Sequence, residues 1–248
     1  MVKAGVCKTP IRRSESARRL QFFLPASTPN RQSLPIITDC VVLLDTMFLL
    51  NYSNLIDPLF KDVRRFAPDF AGMKPGDKVI DVCCGTGAQV IEYGRRGIIA
   101  TGIDLDPNMI KTAGKSKISN NLENISFQIA DAAALPFADG YFNYASISLA
   151  LHDKEKALQQ KIVSEMKRVV KRGGALVFID YNVPLPLHIW AVSARVIEYA
   201  VGGSHYRNFK VYVAHEGIKG VLKIQGLREE SRTHLKSGLL AAVKVINP

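Results

Sequence analysis

From residue 75 onward, short apolar runs alternate with segments whose apolar residues recur at helical spacing. Residues 78–82 read as a buried strand, followed by a glycine-containing turn and a helix over 88–94. A second strand spans 98–103 and ends at Asp104. Pro107 then starts a helix that runs through Ala113, because proline has no N–H to lose at the first helical position. Residues 125–130 predict a third strand, ending at Asp131. Residues 142–149, rich in β-branched and aromatic side chains, predict a fourth. Over 155–171, Leu158, Ile162, Met166, Val169 and Val170 follow the period of an amphipathic helix. The Arg172-Gly173-Gly174 turn leads into a fifth strand at 175–179. Strands separated by helices at this spacing imply an α/β fold, a doubly wound parallel sheet covered on both faces. Such a sheet binds its ligand beyond the carboxyl ends of its strands, which here are residues 83–87, Asp104, Asp131, 148–153 and Asp180.

After residue 184 the alternation stops. Residues 187–201 form an apolar helical stretch closed by Gly202-Gly203, and 209–222 read as one further helix. Two strands, 228–235 and 239–246, joined by Lys236-Ser237-Gly238, end the chain. At the other end, residues 1–34 carry seven basic residues against Glu15 alone, and the run 36–50 is interrupted by Asp39 and Asp45. That run is shorter than the ~20 residues of a membrane span. Residues 1–46 are thus expected to be a basic, flexible arm with an apolar segment. An organelle-targeting role, or a later start at Met47, are the alternative readings of the same composition. Residues 47–248 form the expected domain, with an insertion at about 184–225 roofing the substrate site.

Composition changes this picture little. Hydrophobic residues make up 47% of the chain, enough for a sizeable core. The formal net charge of +11 is concentrated in the arm, which weakens a nucleic-acid reading. The four cysteines (Cys7, Cys40, Cys83 and Cys84) show no ligand spacing, so no metal is expected and a reducing, cytoplasmic location is the default.

The chemistry starts at the first turn. Gly85 and Gly87 let a ligand approach the backbone, and the helix that follows offers free N–H groups. Asp104 stands 19 residues after Gly85, where a carboxylate accepts from both hydroxyls of a ribose. A dinucleotide site wants a third small residue at position 90, which is Val90 here. Asp131 adds an acceptor placed for an adenine amino group. One adenosine with a short charged tail fits this set better than a dinucleotide.

In VIDVCCGTG (79–87), GIDLDPNMI (102–110), IADAAALPFADGYFNYASISLALHD (129–153) and MKRVVKRGGALVFID (166–180), the chain resembles the class I S-adenosylmethionine-dependent methyltransferases. Within them it is most similar to the ubiquinone/menaquinone-type C-methyltransferases and the methyltransferase type 11 group. The resemblance covers roughly residues 50–248. It implies a seven-stranded Rossmann-like sheet with the last strand antiparallel, and S-adenosyl-L-methionine as cofactor. By position it implies that Asp81 orders the glycine-rich turn and that Gly85 and Gly87 admit the amino-acid part. It also implies that Asp104 holds the ribose, Leu105 packs near the adenine, and Asp131 and the Ala132 N–H meet its edge. Met109 and Ser148 complete the cofactor set. Cys83 departs from the glycine common in the family.

Methyl transfer from a sulfonium releases a neutral leaving group, so catalysis is largely placement, with one base at most. His152, His205 and Tyr206 are the candidates; His titrates near neutrality, and 205–206 lie in the inserted segment. The expected acceptor is a small, lipophilic molecule such as a quinone precursor. Peripheral membrane contact and the oligomeric state are left open. A nucleic-acid acceptor is disfavoured because Asp180-Tyr181-Asn182 replaces the amino-methylating motif and no Pro-Cys pair follows the fourth strand. A non-catalytic adenosyl-binding protein is the rival from another class.

Overall fold

The computed structural model describes residues 60–186, 198 and 203–248. The basic arm and most of the 187–201 helix expected from sequence lie outside them. In chain order the elements are α1 (Lys61–Ala71), β1 (Lys78–Val82), α2 (Ala88–Arg95), β2 (Ile99–Asp104), α3 (Pro107–Ser119), β3 (Ile125–Ile129) and β4 (Phe142–Ser148). There follow α4 (Lys156–Val169), β5 (Val170–Tyr181), α5 (Gly203–Ala214), α6 (Gly217–Ile224), β6 (Glu229–Leu235) and β7 (Leu240–Ile246).

The seven strands form one sheet in the order β3-β2-β1-β4-β5-β7-β6. β1 to β5 pair in parallel, and β7 runs antiparallel between β5 and β6. This is the sheet that the family resemblance implies. The order doubles back at β1, whose neighbours are β2 and β4, so a crevice opens where connections leave in opposite directions. Val79, Ile80 and Val82 of β1 are fully buried, as a central parallel strand requires. Val90 is also fully buried and packs with Val79, Tyr93 and Ile98, which is why a branched side chain occupies the place of the third glycine.

Three elements differ from the expectation. α1 was not read from the sequence. It buries Val63 and Ala67 against Ile179, Leu240 and Ala242, although Pro68 lies within it. β5 begins directly where α4 ends, so Arg172-Gly173-Gly174 is a bulged start of the strand, with a register shift between Phe142 and Tyr144, and not a separate turn. The single helix at 209–222 is two helices. Glu216 takes a left-handed conformation (φ 62°) between them, which ends the hydrogen-bonded run.

Candidate active site

The turn after β1 is set by tertiary hydrogen bonds as well as by glycine. The Gly85 N–H donates to Asp104 Oδ2 at 2.9 Å, and the Asp106 N–H donates to Oδ1 at 3.0 Å. Asp104 therefore ties the turn to β2 while each oxygen keeps a lone pair for a further donor. Gly85 has φ 52°, and a Cβ built there would meet nothing within 4 Å. Its open side belongs to a cavity also lined by Arg64, Asp81, Cys83, Gln89 and Ser148. Gly87 has φ 76°, but a Cβ there would stand 2.5 Å from Phe127 Cζ. Helix-to-sheet packing, and not the cavity, requires that glycine.

Asp81 is buried and accepts from Ser146 Oγ at 2.5 Å. Burial pushes its carboxyl up to about 7, against the pull of Ser146 and Arg64. The ordering of the turn falls to Asp104, and Asp81 forms part of the cavity wall. Burial also pushes the Cys83 thiol up to about 12, so it is a neutral wall group and no nucleophile. Leu105 is 65% exposed beside Asp104, and Met109 lies half-buried in the first turn of α3. Asp131 is exposed after β3; its Oδ1 accepts the Ala133 N–H at 2.8 Å, and Ala132 is buried next to it. The carboxylates of Asp104 and Asp131 thus end neighbouring strands.

The cavity tests the cofactor directly. Ser148 Oγ and Gln89 Oε1 are screened from solvent and have no hydrogen-bond partner among the described residues, and both residues line it. Two waiting acceptors and the Arg64 guanidinium suit an ammonium and a carboxylate, the two charges of an α-amino acid. Arg64 and Gln89 were missed in the sequence. Gln89 sits two residues beyond Gly87 on α2, a position the motif could have flagged, whereas Arg64 depends on the unread helix α1.

Beyond β4 and β5 lies a second group. Asp180 Oδ2 accepts the N–H groups of Leu151 (3.0 Å) and His152 (3.2 Å), and Oδ1 accepts that of Tyr181 (2.7 Å). Oδ1 also stands 2.7 Å from His152 Nδ1. On the far side of the ring, Nε2 is 3.5 Å from Glu198 Oε1, which accepts from the Tyr181 hydroxyl at 2.9 Å. Glu198 Oε2 lies 2.7 Å from His205 Nδ1, and His205 Nε2 lies 3.5 Å from Asp153. Burial alone would lower the His152 imidazole, but Asp180 and Glu198 outweigh it and push it up to about 10. Contacts with Asp153 and Glu198 raise His205 to about 9 against its own desolvation. Burial would raise Glu198, yet the two histidines and Tyr181 hold it down at about 2. The structure thus brings His152 and His205 together. Tyr206 packs in the cluster of Leu185 and Phe209, with the Lys210 ammonium 5.1 Å from its ring centroid. Glu198 is not among the candidates read from the sequence, because its partners are up to 46 residues away.

A family model described as a methyltransferase domain matches residues 79–174, the stretch from β1 into β5. The ubiquinone/menaquinone biosynthesis C-methyltransferase of Klebsiella pneumoniae is 30% identical over 202 residues, covering 72% of this chain and 77% of that relative. The chain belongs to the S-adenosylmethionine-dependent methyltransferases. An uncharacterized methyltransferase of Synechocystis is 34% identical over 118 residues, a match that covers 48% of this chain and about half (53%) of that relative's length. The fold of the PH0226 protein from Pyrococcus horikoshii superposes with a TM-score of 0.63 at 16% identity, over 79% of this chain and 92% of that one. As a methyltransferase of this family, the protein takes S-adenosylmethionine as its cofactor, and the crevice at β1 is the cavity whose residues fit it.

Proposed function

We propose that this methyltransferase transfers the methyl group of S-adenosylmethionine to a small, largely apolar acceptor of the quinone-precursor class. The observation that carries this reading is the pairing of two adjoining sites at the strand ends. One is a cavity with unpartnered Ser148 and Gln89 oxygens beside Asp104. The other is the His152–Glu198–His205 group, enclosed by the rings of Tyr181 and Phe209. In this reading the first holds the cofactor's amino acid and ribose, and the second meets the acceptor. The Klebsiella relative, named for ubiquinone and menaquinone biosynthesis, supplies the acceptor class.

Each group has a distinct task. Asp104 holds the ribose, and the Asp131 end of β3 lies against the base. Arg64, Gln89 and Ser148 hold the charged tail. The transfer step itself forms a bond from the acceptor ring carbon to the methyl carbon as the carbon–sulfur bond breaks, with sulfur keeping the electron pair. The proton on that ring carbon then leaves to solvent at the open side, and its bonding pair restores the aromatic ring. Its rate depends on keeping those three atoms in line. The aromatic shell excludes water from the acceptor oxygen, and His205, the least buried of the three, faces the open side. The test is a transfer assay with methyl-labelled cofactor and reduced naphthoquinone and benzoquinone precursors lacking one ring methyl. Labelled quinone in the organic phase is expected, and His205→Ala should lower turnover while leaving cofactor affinity in place. A folded, cofactor-binding protein that labels none of these acceptors would overturn the assignment of acceptor class.

A further inference from the structure

We propose that His152, Glu198 and His205 form a binding site for a divalent first-row transition-metal ion at the acceptor end of the active site. One ligand atom from each residue lies within 4.8 Å of the others. A zinc-like ion with bonds of about 2.0–2.1 Å sets its ligand atoms roughly 3.3 Å apart, so small side-chain movements close the site. His152 Nε2 and Glu198 Oε1 already stand at 3.5 Å. Glu198 Oε2 and His205 Nδ1 form an ion pair at 2.7 Å, and both atoms are screened from solvent.

The surroundings match a metal site in three further respects. Asp180, fixed by three backbone N–H groups, grips Nδ1 of His152 and so leaves Nε2 to point at Glu198. That carboxylate–imidazole arrangement orients metal-ligating histidines and raises their basicity. Tyr181 fixes Glu198 in the same way through its hydroxyl. Charge is the second respect. Asp153 pairs with Lys154, while Asp180 and Glu198 contact the imidazoles; an ion that displaces the two imidazole protons is left facing three carboxylates and one ammonium, two net negative charges that one divalent cation matches. The third is asymmetry of access. His152 and Glu198 are buried, whereas the His205 side chain is 28% exposed, leaving one open side for an exogenous oxygen. Two imidazoles and a carboxylate favour Zn2+, Fe2+ or Co2+ over Mg2+ or Ca2+, which prefer all-oxygen sets. An ion there would hold an acceptor hydroxyl and lower its proton affinity, which provides an ionised nucleophile inside an apolar shell.

The test is metal binding by the full chain, stripped with chelator and titrated with Zn2+ against a chromophoric competitor and with Co2+ in the visible spectrum. It is independent of the cofactor and of the acceptor class. One ion per chain is expected, with Co2+ bands of low-symmetry nitrogen–oxygen coordination and no thiolate charge-transfer band. Glu198→Gln and His205→Ala should each weaken Zn2+ by at least about tenfold, and Asp180→Asn by about 10–100-fold through loss of orientation. His215→Ala and His234→Ala, which change histidines away from the site, should leave the affinity unchanged. His205 is half-exposed, so its variant reports even where changes at buried His152 unfold the chain. No stoichiometric ion on the folded protein, a thiolate band from Cys83 and Cys84, or full affinity in both Glu198→Gln and His205→Ala would each overturn the site.

Discussion

Asp104 holds the Gly85 and Asp106 N–H groups, and in the proposed reading it also takes the ribose hydroxyls. Asp104→Ala is expected to weaken S-adenosylmethionine binding by about 1.5–3 kcal/mol for each charge-assisted hydrogen bond lost, measured calorimetrically. Unchanged affinity would remove Asp104 from the pocket. Asp81 makes a different kind of prediction. Its folded-state carboxyl is raised from the ordinary 3.8 to about 7 by burial, so the unfolded chain releases that proton first. The stability it contributes is whole below about pH 4 and is lost as pH rises through about 7. In cofactor-free protein, Asp81→Asn should therefore gain stability relative to the parent between pH 5 and 8, read by urea unfolding. A constant difference across that range would contradict the buried, raised carboxyl. At this scale the strand-end acids were legible, because Asp104, Asp131 and Asp180 each stand within two residues of a strand's end. Glu198 and Arg64 were not. Their roles come from elements packed together across the fold, and nothing adjacent in sequence marks them.

Among the elements, the glycine turn separates two uses of one residue type. Gly85→Ala puts a methyl into the cavity at a cost of about 1–2 kcal/mol for the left-handed backbone, so cofactor affinity should suffer more than stability. Gly87→Ala carries the same backbone cost and also drives its Cβ into Phe127 and Ala113, which adds about 1–3 kcal/mol of overpacking. Denaturant unfolding without cofactor should rank Gly87→Ala as clearly the less stable; equal stabilities would contradict the packing assignment. The strands and α2, α3 and α4 were readable because burial on both faces leaves continuous apolar runs, and amphipathic helices carry their period. α1 was hidden by Pro68 and by charges on its outer face. The break between α5 and α6 was hidden because Glu216, with no glycine's freedom, adopts the left-handed turn beside Gly217.

At the scale of the molecule, the five parallel strands carry every described residue assigned to the cofactor except Arg64, Gln89 and Met109, either on a strand or in the loops at its end. The β6–β7 hairpin completes the sheet beside β5. No helix among the described residues is long and apolar enough to cross a membrane. The strand count and the antiparallel last strand followed from the resemblance, whereas the order of the strands, with β7 between β5 and β6, came only from the structure. The central claim is that the crevice at β1 is built for one adenosine with an amino-acid tail. Calorimetric titration of the full chain with S-adenosylmethionine, S-adenosylhomocysteine and NADH tests it most directly. The account predicts one site per chain that binds both adenosyl ligands and no heat of binding from NADH. Binding of NADH in place of the adenosyl pair, or no adenosyl binding by folded protein, would contradict it.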